Sequence, residues 1–228
     1  MRRMVLSAWA EFLAALAVFF ASHAIPARPA VKQRLVGLLG RGAYGACYGI
    51  ISLAALGWVI AAAGRAPTVA LAPVAPWQLA APFILMVPAC LLVAFALFRP
   101  NPYSFGGSRN ARFNPSYPGV VRITRHPLLL AILLWAVGHL LANPHAAHAI
   151  LFGSFAVFSL TGMAAIDRRL RRNGIAMAGE PIPPMGVMEL TLRAAGGLAL
   201  YALVLLAHPV VAGINVYILL PSLIRSLL

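Results

Sequence analysis

The chain has 228 residues, of which 62% are apolar and only 10% are charged, whereas a soluble domain carries roughly a quarter charged residues. This charge deficit excludes an ordinary soluble domain and predicts one membrane domain with no soluble domain attached. The net charge of +14 does not indicate a nucleic-acid-binding protein, because the basic residues lie in short stretches between apolar runs, as in the cytoplasmic loops of membrane proteins.

Six apolar segments approach the length of about 20 residues that crosses a bilayer. In chain order they are Val5–Ala24, Tyr44–Ala63, Trp77–Phe98, Pro127–Ala142, Ala146–Ile166 and Ala194–Ala212. The sequence therefore predicts an all-α, polytopic membrane helix bundle with about six transmembrane helices, forming a single domain over residues 1–228. The apolar tail 214–228 contains Pro221 and Arg225, which favours an interfacial or half-inserted C-terminal helix over a seventh span.

Loop charge predicts the orientation of these helices. The connections expected at 28–41, 99–125 and 168–189 carry 13 of the 18 basic residues. Four basic residues lie on the opposite side, namely Arg2, Arg3, Arg65 and Arg225, and Arg193 lies at the inner end of the sixth span. Because basic loops remain in the cytoplasm, we expect a multi-pass protein of the bacterial inner membrane with both termini outside.

The first 24 residues also resemble a signal peptide that ends in Ser22-His23-Ala24. Glu11 interrupts the apolar run of this segment, and cleavage would leave the basic stretch 28–41 outside the cell. We therefore expect the segment to remain attached as a membrane helix.

Few polar side chains interrupt the apolar segments, which limits the chemistry available to the protein. Of the four acidic residues, only Glu11 is expected to lie within a span. The sequence has no paired intramembrane carboxylates for acid–base catalysis, no GxSxG or HExxH motif and no glycine-rich phosphate loop. Histidine remains, and a neutral imidazole in an apolar setting is a suitable ligand of haem iron. No CxxCH motif is present for covalent haem attachment.

His139 is the strongest candidate ligand, because it lies about 12 residues into the fourth span with no charged residue nearby. Trp135, four residues earlier, is expected on the same helix face. Gly138 is expected to leave room for a bulky planar partner. A histidine that hydrogen-bonds to another helix is the alternative interpretation.

Two further motifs lie at the ends of spans. Arg125-His126-Pro127 predicts the start of the fourth span, because proline suits the first helical turn. His126 is then either a functional residue at the cytoplasmic edge or an interfacial anchor. Asp167 and the two arginines after it favour a solvated, self-pairing end of the fifth span over a catalytic role for Asp167.

Four stretches of the sequence carry a resemblance to a known family. They are Ala21-Ser22-His23 with the Pro/Arg-rich turn after it, residues 118–127 (PGVVRITRHP), residues 135–143 (WAVGHLLAN) and Asp167-Arg168-Arg169-Leu170. A weaker fifth stretch is Ala207-His208-Pro209. On these residues the chain resembles the NnrU family of bacterial membrane proteins, whose plant and cyanobacterial relatives include the 15-cis-zeta-carotene isomerases.

The resemblance implies a non-covalent haem b protein. Its role would be cis–trans isomerisation of an apolar, carotenoid-like substrate, or a reaction linked to nitrite and nitric oxide reduction. The axial histidines of the isomerases match His23 and His139, and Arg28, Arg34 and Arg125 are the expected partners of the haem propionates. Membrane lipid and a respiratory or electron-transfer protein are the expected partners. Ala136 stands where the plant enzymes have a cysteine, so no thiolate ligand would compete.

The expected topology conflicts with this ligand pair. His23 lies near the cytoplasmic end of its helix, while His139 lies about 13 residues, or roughly 20 Å, from the cytoplasmic end of its own. Two axial ligands of one iron must lie at about the same depth in the membrane. By depth alone, His126 is the substitute partner for His23.

Two functions of other classes remain as alternatives. Membrane methyltransferases of the isoprenylcysteine or phospholipid type also carry an Arg-His-Pro stretch, usually followed by x-Tyr-x-Gly. Here Leu129 and Ala131 stand at the Tyr and Gly positions, and the paired glutamates of those enzymes are missing. The other alternative is a non-enzymatic factor that helps to assemble a respiratory complex.

Overall fold

A computed structural model describes residues 2–26, 28–106, 108–173 and 183–219. The described residues form six α-helices and no β-strand. The helices are α1 Arg2–Ala24, α2 Pro29–Arg65, α3 Pro76–Ala96, α4 Pro127–Ala142, α5 Ala146–Asn173 and α6 Val187–Ala212. Each of the six predicted spans falls on one of these helices, which confirms the all-α fold.

Five of the helices are long and apolar enough to cross a membrane. The exception is α4, whose 16 residues extend about 24 Å at 1.5 Å per residue, a little less than the hydrocarbon core of about 30 Å. The apolar helices confirm that the chain is a membrane protein.

Two of the predicted cytoplasmic connections are helical in part. Residues 29–39 form the first section of α2, which is kinked at Gly40, where φ is 79° and only glycine is free of strain. Arg168 to Arg172 extend α5 as far as Asn173. A helix can continue beyond the end of its apolar segment, because arginine is a good helix former and its charged end reaches water.

Parts of two predicted segments lie outside the described residues. They are residues 174–182 of the connection 168–189 and residues 220–228 of the C-terminal tail. The described part of the tail contains a short 3₁₀ helix, Val216–Ile218. The interfacial C-terminal helix stays a prediction.

The chain divides into two compact units, which are described separately. The first contains Met1–Val69 and Pro209–Ile214. In this unit, α1 and α2 form an antiparallel hairpin. Glu11 in the first half of α1 pairs with Arg65 at the end of α2. The hydroxyl of Tyr48 donates to the carbonyl of His23 near the end of α1, 3.4 Å away. The core of the hairpin contains the fully buried Phe12 and Val59.

The second unit contains Ala70–His208 and Asn215–Leu228. Its central helix, α4, packs against both α3 and α5. Ala89 and Leu92 of α3 and Ala131 of α4 form a buried cluster, and Gly138 near the other end of α4 lies against Pro82 near the start of α3. The residue numbers of the two helices therefore run in opposite directions, and α4 is antiparallel to α3.

The helix α6 also packs antiparallel to α3. Arg193 donates through Nη1 to the carbonyls of Ala94 and Leu97 at the end of α3, at 2.6 and 3.1 Å. One and two turns later, Gly197 meets the middle of α3 and the Tyr201 hydroxyl donates to the Phe83 carbonyl at 3.2 Å. Since α4 and α6 both oppose α3, they run in the same direction.

A charged cluster supports this end of α3. Glu189 accepts from Arg193 Nε at 2.9 Å and from Arg99 Nη1 at 3.3 Å. Burial lowers the pKa of the Arg99 guanidinium, whose ordinary value is high enough to keep it charged. Glu189 offsets one of the two positive charges beside the last carbonyls of α3, and the contacts of Arg193 with those carbonyls fix how far α6 slides along α3.

Candidate functional site

His139 lies half-buried in the last turn of α4. Its Nδ1 is 2.8 Å from the carbonyl oxygen of Trp135. A carbonyl only accepts, so Nδ1 carries the proton and Nε2 keeps its lone pair. This tautomer leaves Nε2 available to a metal ion. The bond of Nδ1 lies within α4, and the alternative interpretation, a hydrogen bond from His139 to another helix, stays a prediction for Nε2.

Aromatic rings surround the His139 imidazole. The centres of the Trp135 and Phe152 rings lie 5.5 and 5.0 Å from its own, and Phe155 packs edge-on against Trp135 at 5.1 Å. The expected contact with Trp135 is confirmed. A further imidazole, that of His208 on α6, lies 6.4 Å away with its plane tilted by only 18°.

Gly138 does not leave room for a planar partner. A Cβ atom at this position would lie 3.0 Å from the Cα and 3.4 Å from the nitrogen of Pro82. Its missing side chain therefore allows the backbones of α3 and α4 to approach closely, as small residues do between membrane helices. The expected space beside Gly138 is filled by α3, and that prediction is wrong.

His23, in the first unit, has the same local geometry as His139. Its Nδ1 lies 2.8 Å from the carbonyl of Phe19, four residues earlier, so Nε2 again keeps the lone pair. The Phe19 ring centre is 4.2 Å from the imidazole, and the Tyr48 ring centre is 5.7 Å away. His23 and His139 belong to different units.

His126 has the opposite arrangement. It is only 5% exposed, and its Nε2 lies 3.1 Å from Oδ1 of Asp167. A carboxylate accepts, so the proton is on Nε2 and the lone pair is on Nδ1. That Nδ1 is buried and has no hydrogen-bond partner within the described part of the chain. His126 is thus a buried residue that holds α4 to α5, and it is not an exposed interfacial anchor.

Asp167 is not the solvated, self-pairing end that the sequence predicted. Its side chain is 20% exposed and pairs with His126 and, at 3.5 Å, with Nη2 of Arg125. The antiparallel packing of α4 and α5 brings residues 41 positions apart together. The prediction is wrong because Asp167 pairs with His126 and Arg125, which lie at the start of the neighbouring helix α4.

A comparison with models of protein families covers the residues described above. The family model described as NnrU protein matches residues 11–216, which include His23, His126, His139, Asp167 and His208. The chain belongs to the NnrU family. No curated protein and no solved structure matches it.

The arginines expected to bind propionates differ in their surroundings. Arg28 and Arg34 of this NnrU-family protein are exposed, beside the start of α2. Arg125 is also exposed, but it is already paired with Asp167. The role of all three arginines as partners of haem propionates stays a prediction.

Glu11 is the acidic residue that the sequence placed within a span, and the structure provides its partners. Oε1 lies 2.5 Å from Nη2 of Arg65 and accepts from the Trp58 indole nitrogen at 3.2 Å. A paired carboxylate of this kind closes the α1–α2 hairpin and lowers the cost of a charge inside the membrane. This partner could not be predicted from the sequence, because Arg65 lies 54 positions away.

The described residues of this NnrU-family protein form no cluster of metal ligands at the histidines. No group of three or more His, Cys, Asp or Glu side chains within the described residues could hold a metal ion. A shallow pocket beside the 99–125 segment is lined by residues that include Phe95, Arg99, Asn101 and Phe113, but by no histidine. Iron held by a macrocycle needs only one or two protein ligands, so isolated histidines suffice for that chemistry.

Proposed function

We propose that this NnrU-family membrane protein binds haem b non-covalently through histidines. Its role would be a redox reaction or a cis–trans isomerisation of an apolar, carotenoid-like substrate, or a reaction linked to nitrite or nitric oxide reduction. The observation that carries the proposal is the hydrogen bond from His139 Nδ1 to the Trp135 carbonyl. It leaves Nε2 of an imidazole in an apolar, aromatic setting ready to bind iron.

The residues around His139 fit this role. The carbonyl of Trp135 fixes both the tautomer and the orientation of the ring, which is what an outer-shell partner does for a histidine ligand. Phe152 packs beside the ring and limits the access of water. When bound, haem supplies a redox-active iron, and the chain supplies the ligand, its orientation and an apolar surround.

The other two candidate ligands, His23 and His126, differ in which ring nitrogen is available to iron. His23 presents Nε2 as His139 does, and the resemblance favours it as the second ligand. The Nε2 of His126 is engaged by Asp167, and its Nδ1 is enclosed by protein. Iron binding by His126 would therefore require either breaking the Asp167 contact at Nε2 or opening the protein around the buried Nδ1.

The positions of the basic residues support a location and an orientation. We propose that the protein lies in the bacterial inner membrane with both termini outside, since most basic residues belong to segments on one side of the predicted spans. An apolar substrate would then reach the protein from the surrounding lipid. An electron-transfer protein of the respiratory chain is the proposed partner if the reaction is redox.

The test of haem binding is the absorption spectrum of detergent-purified protein, oxidised and reduced, after expression with ample haem. We expect a haem b spectrum, and we expect His139→Ala to weaken or abolish it. His145→Ala is the matched control, because His145 has its ring contact with His148.

A colourless wild-type protein would refute haem binding. Adenosylmethionine binding by such a preparation would support the methyltransferase alternative instead. If haem is present, conversion of a cis-carotenoid by the purified protein would exclude a purely structural role in respiratory assembly.

A further inference from the structure

We propose that the shallow pocket at the end of α3 binds a phosphate group at the surface of the membrane, and that the guanidinium of Arg99 holds it. The pocket belongs to the second unit, and the residues that line it include Phe95, Arg99, Asn101 and Phe113 but no histidine. The proposal is therefore independent of haem binding. An anionic phospholipid and a soluble phosphate compound present the same oxygen atoms to an arginine, and the experiment separates these two sources.

The side chains at this end of α3 carry more positive than negative charge. Among the described residues, Glu189 is the only carboxylate that pairs with these arginines, and it is shared between Arg99 and Arg193. Burial, and after it the positive charges of Arg193 and Arg109, lower the pKa of the Arg99 guanidinium. Three guanidiniums and one carboxylate leave an excess of two positive charges, which a bound phosphate would offset.

The Arg99 guanidinium has hydrogen-bonding capacity to spare. Of its five N–H donors, only one at Nη1 has an acceptor within the described part of the chain, namely Glu189 at 3.3 Å. In Arg193, both Nε and Nη1 are engaged at 2.9 Å or less, by Glu189 and by the Ala94 carbonyl. Arg99 is thus the arginine of this pair with donors left for a ligand, and a guanidinium matches two phosphate oxygens at once.

Hydrogen bonds hold the backbone around Arg99 in place. Asn101 is only 3% exposed. Its side chain donates to the Arg125 carbonyl and accepts from the backbone nitrogen of Tyr103, both at 3.0 Å. The backbone nitrogen of Ser108 donates to the carbonyl of Arg99 itself at 3.1 Å. A ligand would therefore meet an arginine whose backbone is already fixed, which lowers the entropic cost of binding.

The pocket lies where the headgroups of the lipids are expected. The apolar helix α3 ends three residues before Arg99, so the arginine follows directly on the hydrocarbon core. Phe98 is 74% exposed at the same boundary, as aromatic residues often are where a helix leaves the bilayer. Phe95, Phe113 and Tyr117 give the pocket an apolar lining beside the arginine. Basic pockets between helices bind phospholipid headgroups in other membrane proteins, so we expect the phosphate to belong to a lipid.

The experiment is isothermal titration calorimetry of detergent-purified protein at low ionic strength, with a protein-free micelle titration subtracted. The ligands are short-chain phosphatidylglycerol, short-chain phosphatidylcholine and inorganic phosphate. We expect phosphatidylglycerol to bind more tightly than phosphatidylcholine, because the choline group brings a positive charge to a basic cluster. Weaker binding of inorganic phosphate would assign the site to a lipid, and equal binding would assign it to a soluble phosphate compound. Binding of none of the three ligands overturns the proposal.

Three variants test the role of Arg99 in this binding. Arg99→Gln should weaken the binding of the preferred ligand by about tenfold or more, because it removes a charge-assisted hydrogen bond. Arg122→Gln is the matched control, since it removes the same charge from an exposed residue of the same connection that does not line the pocket. Glu189→Gln should tighten binding, because it removes the carboxylate that competes with the ligand for Arg99. If the cluster only supports α6, Glu189→Gln should weaken binding instead, and that result would overturn the proposal, as would equal losses in Arg99→Gln and Arg122→Gln.

A further variant covers the case in which Arg99→Gln does not accumulate. Arg109→Gln lowers the positive charge beside Arg99 without removing an ion pair found among the described residues. It should weaken binding several-fold, more than Arg122→Gln does, and the same affinity in both variants would contradict the site. All of these variants retain the six histidines, so the absorption spectrum of the protein reports on haem separately from phosphate binding.

Discussion

The contact between α3 and α6 can be tested with two adjacent glycines. Gly196 and Gly197 both lie in the helical part of α6. A Cβ at Gly197 would lie 2.8 Å from Cδ2 and 3.0 Å from Cα of Leu91, and 3.3 Å from the Cys90 carbonyl oxygen, whereas a Cβ at Gly196 would meet nothing within 4 Å. We therefore predict that Gly197→Ala destabilises the protein and that Gly196→Ala does not.

The size of the effect follows from these distances. Carbon atoms in favourable contact lie about 3.5–4.0 Å apart, so the new methyl group in Gly197→Ala must push α6 away from the backbone of α3. Overpacking of this kind costs about 1–3 kcal/mol. Alanine is favoured over glycine within a helix by up to about 1 kcal/mol. Because both variants gain this helix propensity, it cancels when their stabilities are compared. The difference between the two variants should thus be about 1–3 kcal/mol, a factor of roughly 5 to 150 in the folding equilibrium constant.

The assay is reversible unfolding in mixed detergent micelles, followed by circular dichroism and by tryptophan fluorescence. Equal stability of the two variants would refute the α3–α6 packing described here, and so would a greater loss in Gly196→Ala.

Three further predictions concern the His126 contact and the topology. Asp167→Ala should cost about 1–3 kcal/mol of stability in the same unfolding assay, because it leaves Nε2 of the buried His126 without an acceptor. Arg125→Ala removes an exposed partner at 3.5 Å from Asp167 and should cost less than about 1 kcal/mol. Equal losses of stability in the two variants would contradict this ranking. His126→Gln, which can still donate to Asp167, should leave the haem spectrum unchanged, and loss of the spectrum would make His126 a ligand. A reporter fused to the C-terminus should be active only outside the cytoplasm, and cytoplasmic activity would overturn the proposed orientation.

The histidines differ in a way that relates the fold to the proposed chemistry. His23 and His139 donate from Nδ1 to a carbonyl one turn earlier in their own helices, so the helix itself selects the tautomer that leaves Nε2 available. His126 precedes Pro127 at the start of α4, where no earlier helical turn offers a carbonyl. Its Nε2 instead donates to Asp167 on a neighbouring helix. Position within a helix therefore separates candidate ligands from a histidine that joins two helices.

Features that belong to one segment at a time could be predicted from the order of the residues alone. The six spans could be predicted because the length and apolarity of a run decide whether it crosses a bilayer. The contact of Trp135 with His139 could be predicted because residues four apart share a helix face. The family could be predicted from motifs that are read directly from the chain.

The contacts between helices could not be predicted in this way and became known from the packing of the folded chain. The sequence did not pair His126 with Asp167, or His139 with His208, and it left space beside Gly138 where Pro82 lies. The physical reason is that a span such as α4 is apolar on every side, so its sequence carries no periodic signal for the face that meets protein and the face that meets lipid. The rotation and sliding of each helix are set by close packing at small residues and by a few polar contacts, such as Gly197 against Leu91 and Arg193 against the end of α3.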